Sequence, residues 1–196
     1  PAHNDQSRYA AAWADFDRDG RLDLIYAGRD FSDTPQTHLY RQEANGTFSE
    51  VTTNLPDIES AVLLWSDIDA DNYPDLFLSG DTGGLNYVTY IYRNEEGTGN
   101  FSDIGASISS AGPPPFLAKE AAWCDFDGDN DPDLLISGTS TDIYINDNGS
   151  FSPIGAGLTQ EPGSVDCGDY DGDGDLDIAH ASEGMFTSSF HIYRNN

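Results

Sequence analysis

One nine-residue pattern, with aspartate at positions 1, 3, 5 and 9, occurs four times in this chain. It reads DFDRDGRLD from Asp15, DIDADNYPD from Asp67, DFDGDNDPD from Asp125 and DYDGDGDLD from Asp169. The starts lie 52, 58 and 44 residues apart. A single such string is ordinary turn chemistry, since Asp, Asn and Gly all form turns. Four at a roughly constant spacing define an internal repeat, which limits the chain to stacked copies of one supersecondary unit.

The remainder of the repeat keeps the same beat. Two residues before each loop stands Trp13, Trp65, Trp123 or, in the fourth copy, Cys167. Short apolar runs follow the loops (LDLIYAG, PDLFLSG, PDLLISG, LDIAHAS), then the pairs Leu39-Tyr40, Ile91-Tyr92, Ile143-Tyr144 and Ile192-Tyr193. A Gly/Asn turn and a Phe-Ser pair close three copies, at Phe48, Phe101 and Phe151. Four short segments divided by turn residues read as strands, not helices. The expectation is an all-β fold of propeller blades, each of four antiparallel strands. One domain over residues 1–196 would hold blades at about 8–54, 59–105, 119–157 and 163–196, the last lacking its final strand.

The loops concentrate charge. Eighteen of the 35 acidic residues fall in the four nine-residue windows. Two carboxylates about 4 Å apart repel by roughly 4 kcal/mol at an effective dielectric of about 20, so such a loop is either splayed in water or built around a cation. Calcium takes six to eight oxygens at about 2.3–2.6 Å, and side chains at 1, 3, 5 and 9 with the carbonyl at 7 would wrap one ion. Position 7 varies (Arg21, Tyr73, Asp131, Asp175), as expected where only a backbone oxygen is used. Position 6 is Gly20, Asn72, Asn130 or Gly174, residue types that tolerate a left-handed backbone. An EF-hand is excluded. Its glutamate at position 12 is replaced by Tyr26, Leu78, Ile136 and His180, and strand-like runs flank the loops.

The repeat resembles the FG-GAP/VCBS repeat of integrin-α-type β-propellers, whose DxDxDGxxD loop binds calcium within a blade. The resemblance covers nearly the whole chain. It implies about four calcium ions, one per repeat. The ligands would be Asp15, Asp17, Asp19, Asp23 and the Arg21 carbonyl in the first loop, and Asp67, Asp69, Asp71, Asp75 and the Tyr73 carbonyl in the second. In the third they would be Asp125, Asp127, Asp129, Asp133 and the Asp131 carbonyl, and in the fourth Asp169, Asp171, Asp173, Asp177 and the Asp175 carbonyl. The Phe-Gly and Gly-Ala-Pro signatures are replaced by Tyr-Ala-Gly, Leu-Ser-Gly and Ile-Ser-Gly, which favours the VCBS-like branch.

A formal charge of −27, with Lys119 the single lysine, makes nucleic acid and anionic membranes poor partners. No apolar run reaches the roughly 20 residues that span a bilayer. Calcium loops of about 0.1–1 mM affinity belong to extracellular modules, so a secreted or cell-surface location is expected. Cys124 lies one residue before the third loop and Cys167 two before the fourth, which places them on opposite faces of their strands. That parity suits an interblade disulfide, and two buried free thiols suit the spacing equally. Three Asn-X-Ser/Thr sequons begin at Asn45, Asn100 and Asn148, each in the turn before a blade's last strand. They mark possible N-glycosylation, although Asn-Gly is also a favoured hairpin turn.

No catalytic constellation is legible. The histidines His3, His38, His180 and His191 lack metal spacing, and the clustered carboxylates are already assigned to calcium. Two readings remain. One is a structural or adhesive module that contacts extracellular proteins or other subunits. The other is a lectin-like propeller that binds glycans. The incomplete fourth blade leaves three arrangements: an arc of a longer protein, a four-bladed ring completed by the N-terminal segment, or self-assembly in which a neighbour's strand fills the gap. The insertion at 106–120 reads as an interblade loop or a contact arm.

Overall fold

Alternation of apolar and polar residues between Gly/Asn turns makes each repeat fold on itself as a meander of antiparallel strands. The computed structural model describes residues 9–106, 108, 118–158, 161–183 and 188–195. The N-terminal heptad and most of the 106–120 insertion lie outside these residues.

The first sheet has the order β1 (Ala10–Ala14), β2 (Asp23–Arg29), β3 (Pro35–Gln42), β4 (Phe48–Val51). The second runs β5 (Glu59–Ser66), β6 (Asp75–Asp81), β7 (Tyr87–Asn94), β8 (Phe101–Asp103). The third comprises β9 (Glu120–Cys124), β10 (Asp133–Ser137), β11 (Thr141–Asp147) and β12 (Ser150–Pro153). The fourth holds three strands, β13 (Gly163–Gly168), β14 (Asp177–Glu183) and β15 (Ser188–Tyr193). All pairings are antiparallel and no helix occurs among the described residues. The described residues are therefore all-β, in four sheets of blade type, the last with three strands among them.

By compactness the chain divides into Pro1–Asp67 with Asp71–Gly105, and Ile68–Ala70 with Ala106–Asn196. The core of the first unit joins Phe16, Ile25, Ala27 and Leu39 to Ile58, Leu63, Leu76, Leu78, Tyr92 and Phe101. The core of the second joins Cys124, Leu135, Ile143 and Leu158 to Val165 and Ile178. Central strands β6 and β10 are buried along their whole length, which is why LFLS and LLIS read as unbroken apolar runs.

The Trp before the loop meets the Phe of the fourth strand in three blades: Trp13–Phe48, Trp65–Phe101 and Trp123–Phe151, with ring centroids 6.1, 6.1 and 6.0 Å apart. In the fourth sheet no fourth strand is present among the described residues, and Cys167 stands in place of the Trp. Its sulfur is bonded to Cys124, with Cα atoms 6.4 Å apart, inside the second unit.

Candidate metal centre

Each acidic loop joins the first strand of its sheet to the second. The backbone coils into a tight turn that uses two left-handed residues. Position 6 has φ of 87° at Gly20, 71° at Asn72, 73° at Asn130 and 101° at Gly174. Position 4 is left-handed as well, including the non-glycine residues Arg18 (61°) and Ala70 (58°). Sequence reading identified the first of these positions and missed the second, because neither Arg nor Ala signals a positive φ.

The aspartates have distinct structural tasks. Position 1 gathers the turn: Asp15 accepts the N–H groups of Asp19 (3.0 Å) and Gly20 (2.9 Å), and Asp67 those of Asp71 and Asn72 at 3.1 and 2.9 Å. Asp125 takes Gly128 and Asn130, and Asp169 takes Gly172, Asp173 and Gly174. Position 5 accepts the N–H of position 7 in every loop, at 2.8–3.1 Å. These are Asx-type turns, in which a side-chain oxygen stands in for a backbone carbonyl.

Position 9 is a clamp. Asp23 (1% exposed), Asp133 (0%) and Asp177 (2%) accept the position-2 N–H on one oxygen and, on the other, the N–H of Gln42, Asn146 or Asn195, at or just past the end of the third strand. Asp75, also fully buried, accepts the Asn94 N–H at 2.8 Å. Burial pushes the Asp23 and Asp133 carboxyls above the ordinary carboxylate range, against the downward pull of those N–H donors. Each oxygen has a second lone pair, so the clamp does not forbid a further contact to a cation.

Within every loop three carboxylates each offer one oxygen within 4.8 Å of the others. The trios are Asp15, Asp17, Asp19; Asp67, Asp69, Asp71; Asp125, Asp127, Asp133; and Asp169, Asp171, Asp177. Oxygens no more than 4.8 Å apart can share one ion at metal–oxygen distances of about 2.4 Å, so the all-oxygen donor set is compatible with a calcium-sized ion. Asp23, Asp75, Asp129 and Asp173 stand outside the trio of their own loop.

Basic side chains also reach the loops. Arg41 Nε lies 2.5 Å from Asp17 Oδ2, Arg194 pairs with Asp171, and Arg21 pairs with Asp19. One further element escaped sequence reading. The side-chain amide of Asn94 donates to the Phe16 carbonyl at 2.8 Å, that of Asn146 to the Ile68 carbonyl at 2.9 Å, and that of Asn195 to the Phe126 carbonyl at 3.2 Å. The acceptor is always position 2 of the preceding loop. Because the main-chain N–H of each Asn also bonds position 9 of its own loop, one residue ties together two successive loops. The sequon residues Asn45, Asn100 and Asn148 are exposed in the turns before β4, β8 and β12.

Comparison with known proteins agrees with the repeat. The FG-GAP-like repeat matches three successive overlapping stretches, residues 15–78, 67–136 and 125–180. Among solved structures, a lectin of Agrocybe aegerita, described for its specific recognition of non-reducing terminal N-acetylglucosamine, superposes with a TM-score of 0.57 at 16% identity. The alignment covers 89% of this chain and 46% of that one, so the chain spans less than half the lectin's length. No curated protein matches the chain. With matched repeats running from the first acidic loop through the fourth, the chain belongs to the FG-GAP-like repeat family.

Proposed function

We propose that this chain is an extracellular, calcium-stabilised β-propeller module that serves as a structural or adhesive protein-interaction scaffold without catalytic activity. The observation that carries the reading is the set of four oxygen trios, each within 4.8 Å, on turns already closed by their own hydrogen bonds. The ligands would be the aspartates at positions 1, 3, 5 and 9 of each loop, with the carbonyls of Arg21, Tyr73, Asp131 and Asp175. Bound calcium offsets the mutual repulsion of carboxylates that the fold brings together. At a free concentration ten times the dissociation constant, each site adds about 1.4 kcal/mol of stability. Four sites together add about 5–6 kcal/mol, comparable to a typical domain's whole stability of about 5–15 kcal/mol. The test is thermal unfolding in millimolar calcium and after chelation. A melting temperature indifferent to chelation removes calcium from the reading.

A second reading, glycan binding, is favoured by the similarity to the Agrocybe aegerita lectin, a likeness of fold. Micromolar retention on immobilised polysaccharide would bring it forward. Self-assembly by strand complementation is the form of protein interaction suggested by the fourth sheet, which has three strands among the described residues where the others have four. Light scattering in calcium distinguishes multimers from a monomer. The exposed turns at Asn45, Asn100 and Asn148 are accessible to a glycosylation machinery where the host has one.

A further inference from the structure

The four loops differ in the positive charge that the fold brings to them. The residue after the third-strand tyrosine is Arg41, Arg93 or Arg194 in three repeats and Ile145 in the third. Arg41 Nε sits 2.5 Å from Asp17 Oδ2, while Asp17 Oδ1 accepts the Asp19 N–H at 3.2 Å, so both oxygens of this position-3 carboxylate are engaged. The guanidinium is held in place: its carbon lies 5.5 Å from the centroid of the Phe16 ring, and Nη2 donates to the Gly97 carbonyl at 3.4 Å. Arg194 repeats the arrangement, paired with Asp171 and 5.9 Å from the Tyr170 ring centroid. In the third repeat Ile145 and Phe126 pack together against the apolar core. Arg194 and Asp127 line the same groove, but the guanidinium is committed to Asp171. Among the described residues no ion pair reaches an aspartate of loop three.

We propose that the arginine following the third-strand tyrosine is a tethered cation that competes with a divalent ion for the position-3 carboxylate of its own loop, and that loop three, with Ile145 in its place, is the tightest ion site of the chain. The inference rests on the calcium reading above. Loop three keeps five aspartates and no paired cation, whereas loop four sets Arg194 against its five. Loop one has four aspartates, with Arg18 and Arg21 within it and Arg41 beside it, and stands at the weak end of the order. A single positive charge about 7 Å from a divalent ion changes its binding by close to tenfold even at the dielectric of bulk water, about 80, so about tenfold is the least effect expected. In the absence of an ion the tethered guanidinium keeps loops one and four partly neutralised, while loop three has no substitute.

Calcium titration of the full chain by calorimetry tests this. The expected isotherm has one tight site, at least about tenfold stronger than the weakest class. Asp127→Asn should abolish the tight site, and Asp17→Asn should leave it. Ile145→Arg should weaken it about tenfold, with Ile145→Gln as the uncharged control for packing. Arg194→Gln, at a half-exposed position, should tighten one of the weaker sites. Four indistinguishable sites, a tight site that survives Asp127→Asn, or an Ile145→Arg variant that is folded and binds unchanged would each overturn the inference and leave the calcium reading standing. Absence of any calcium binding overturns both.

Discussion

Replacing Asn94 with alanine isolates the bond between successive loops. The side chain is 1% exposed and makes three hydrogen bonds: Nδ2 to the carbonyls of Phe16 (2.8 Å) and Pro74 (3.0 Å), and Oδ1 from the Gly97 N–H (3.0 Å). Alanine keeps the main-chain N–H on Asp75 and strands the other three partners. A buried polar group left without its partner costs about 1–3 kcal/mol, so relief of the asparagine's own desolvation still leaves a net loss of about 3–4 kcal/mol. Asn94→Asp should be at least as damaging, because it retains the acceptor for Gly97 but turns a carboxylate oxygen towards two carbonyls. Urea unfolding followed by tryptophan fluorescence and by circular dichroism measures the change as a shift in midpoint at constant slope. A loss below about 1 kcal/mol would refute the assignment of this side chain as the tie between blades.

Three further outcomes follow from the same physics. Gly97→Ala should cost about 2 kcal/mol or more by the same assay, since φ is +68° and a Cβ would lie 2.5 Å from the Asp17 Cα. Reduction of the Cys124–Cys167 bond, which closes a separation of 43 residues, should lower stability by about 4 kcal/mol in chain-entropy terms, read by unfolding with and without reductant. His180 is fully buried and burial holds its pKa below the usual histidine value, so the unfolded chain binds the proton more readily. Its contribution is therefore complete above about pH 6.5 and declines as the pH falls below that value towards the folded pKa, and His180→Gln should flatten the melting temperature between pH 7.5 and 5 relative to the parent.

The repeat and the strand content were legible because they are written in local signals. Loops with fixed Asp spacing, apolar alternation and Gly/Asn turns each declare themselves within a dozen residues. The left-handed position 6 was legible for the same reason, since Gly20 and Asn72 carry that preference in their side chains. Position 4 was not, because Arg18 and Ala70 are forced into the conformation by hydrogen bonds that the loop makes only once closed. The Asn94, Asn146 and Asn195 ties were also invisible. Their acceptors lie 78, 78 and 69 residues away, and an Asn at the end of a strand looks like any turn residue. Asp23, Asp133 and Asp177 were read only as ligands, and the buried clamp they form emerges from the register that brings the third strand's end beside the loop.

The asparagine tie has a consequence for how such a gene can lengthen or shorten. Every tie reaches backwards, from the third strand of one repeat to the position-2 carbonyl of the repeat before it, and a backbone carbonyl is supplied by any amino acid. A duplication that inserts one whole repeat therefore brings its own asparagine for the older neighbour and offers its own carbonyl to the next, with no partner needing a compensating substitution. The unit of inheritance and the unit of this hydrogen bonding thus coincide, and copy number can drift while the asparagine tie at each junction stays chemically the same.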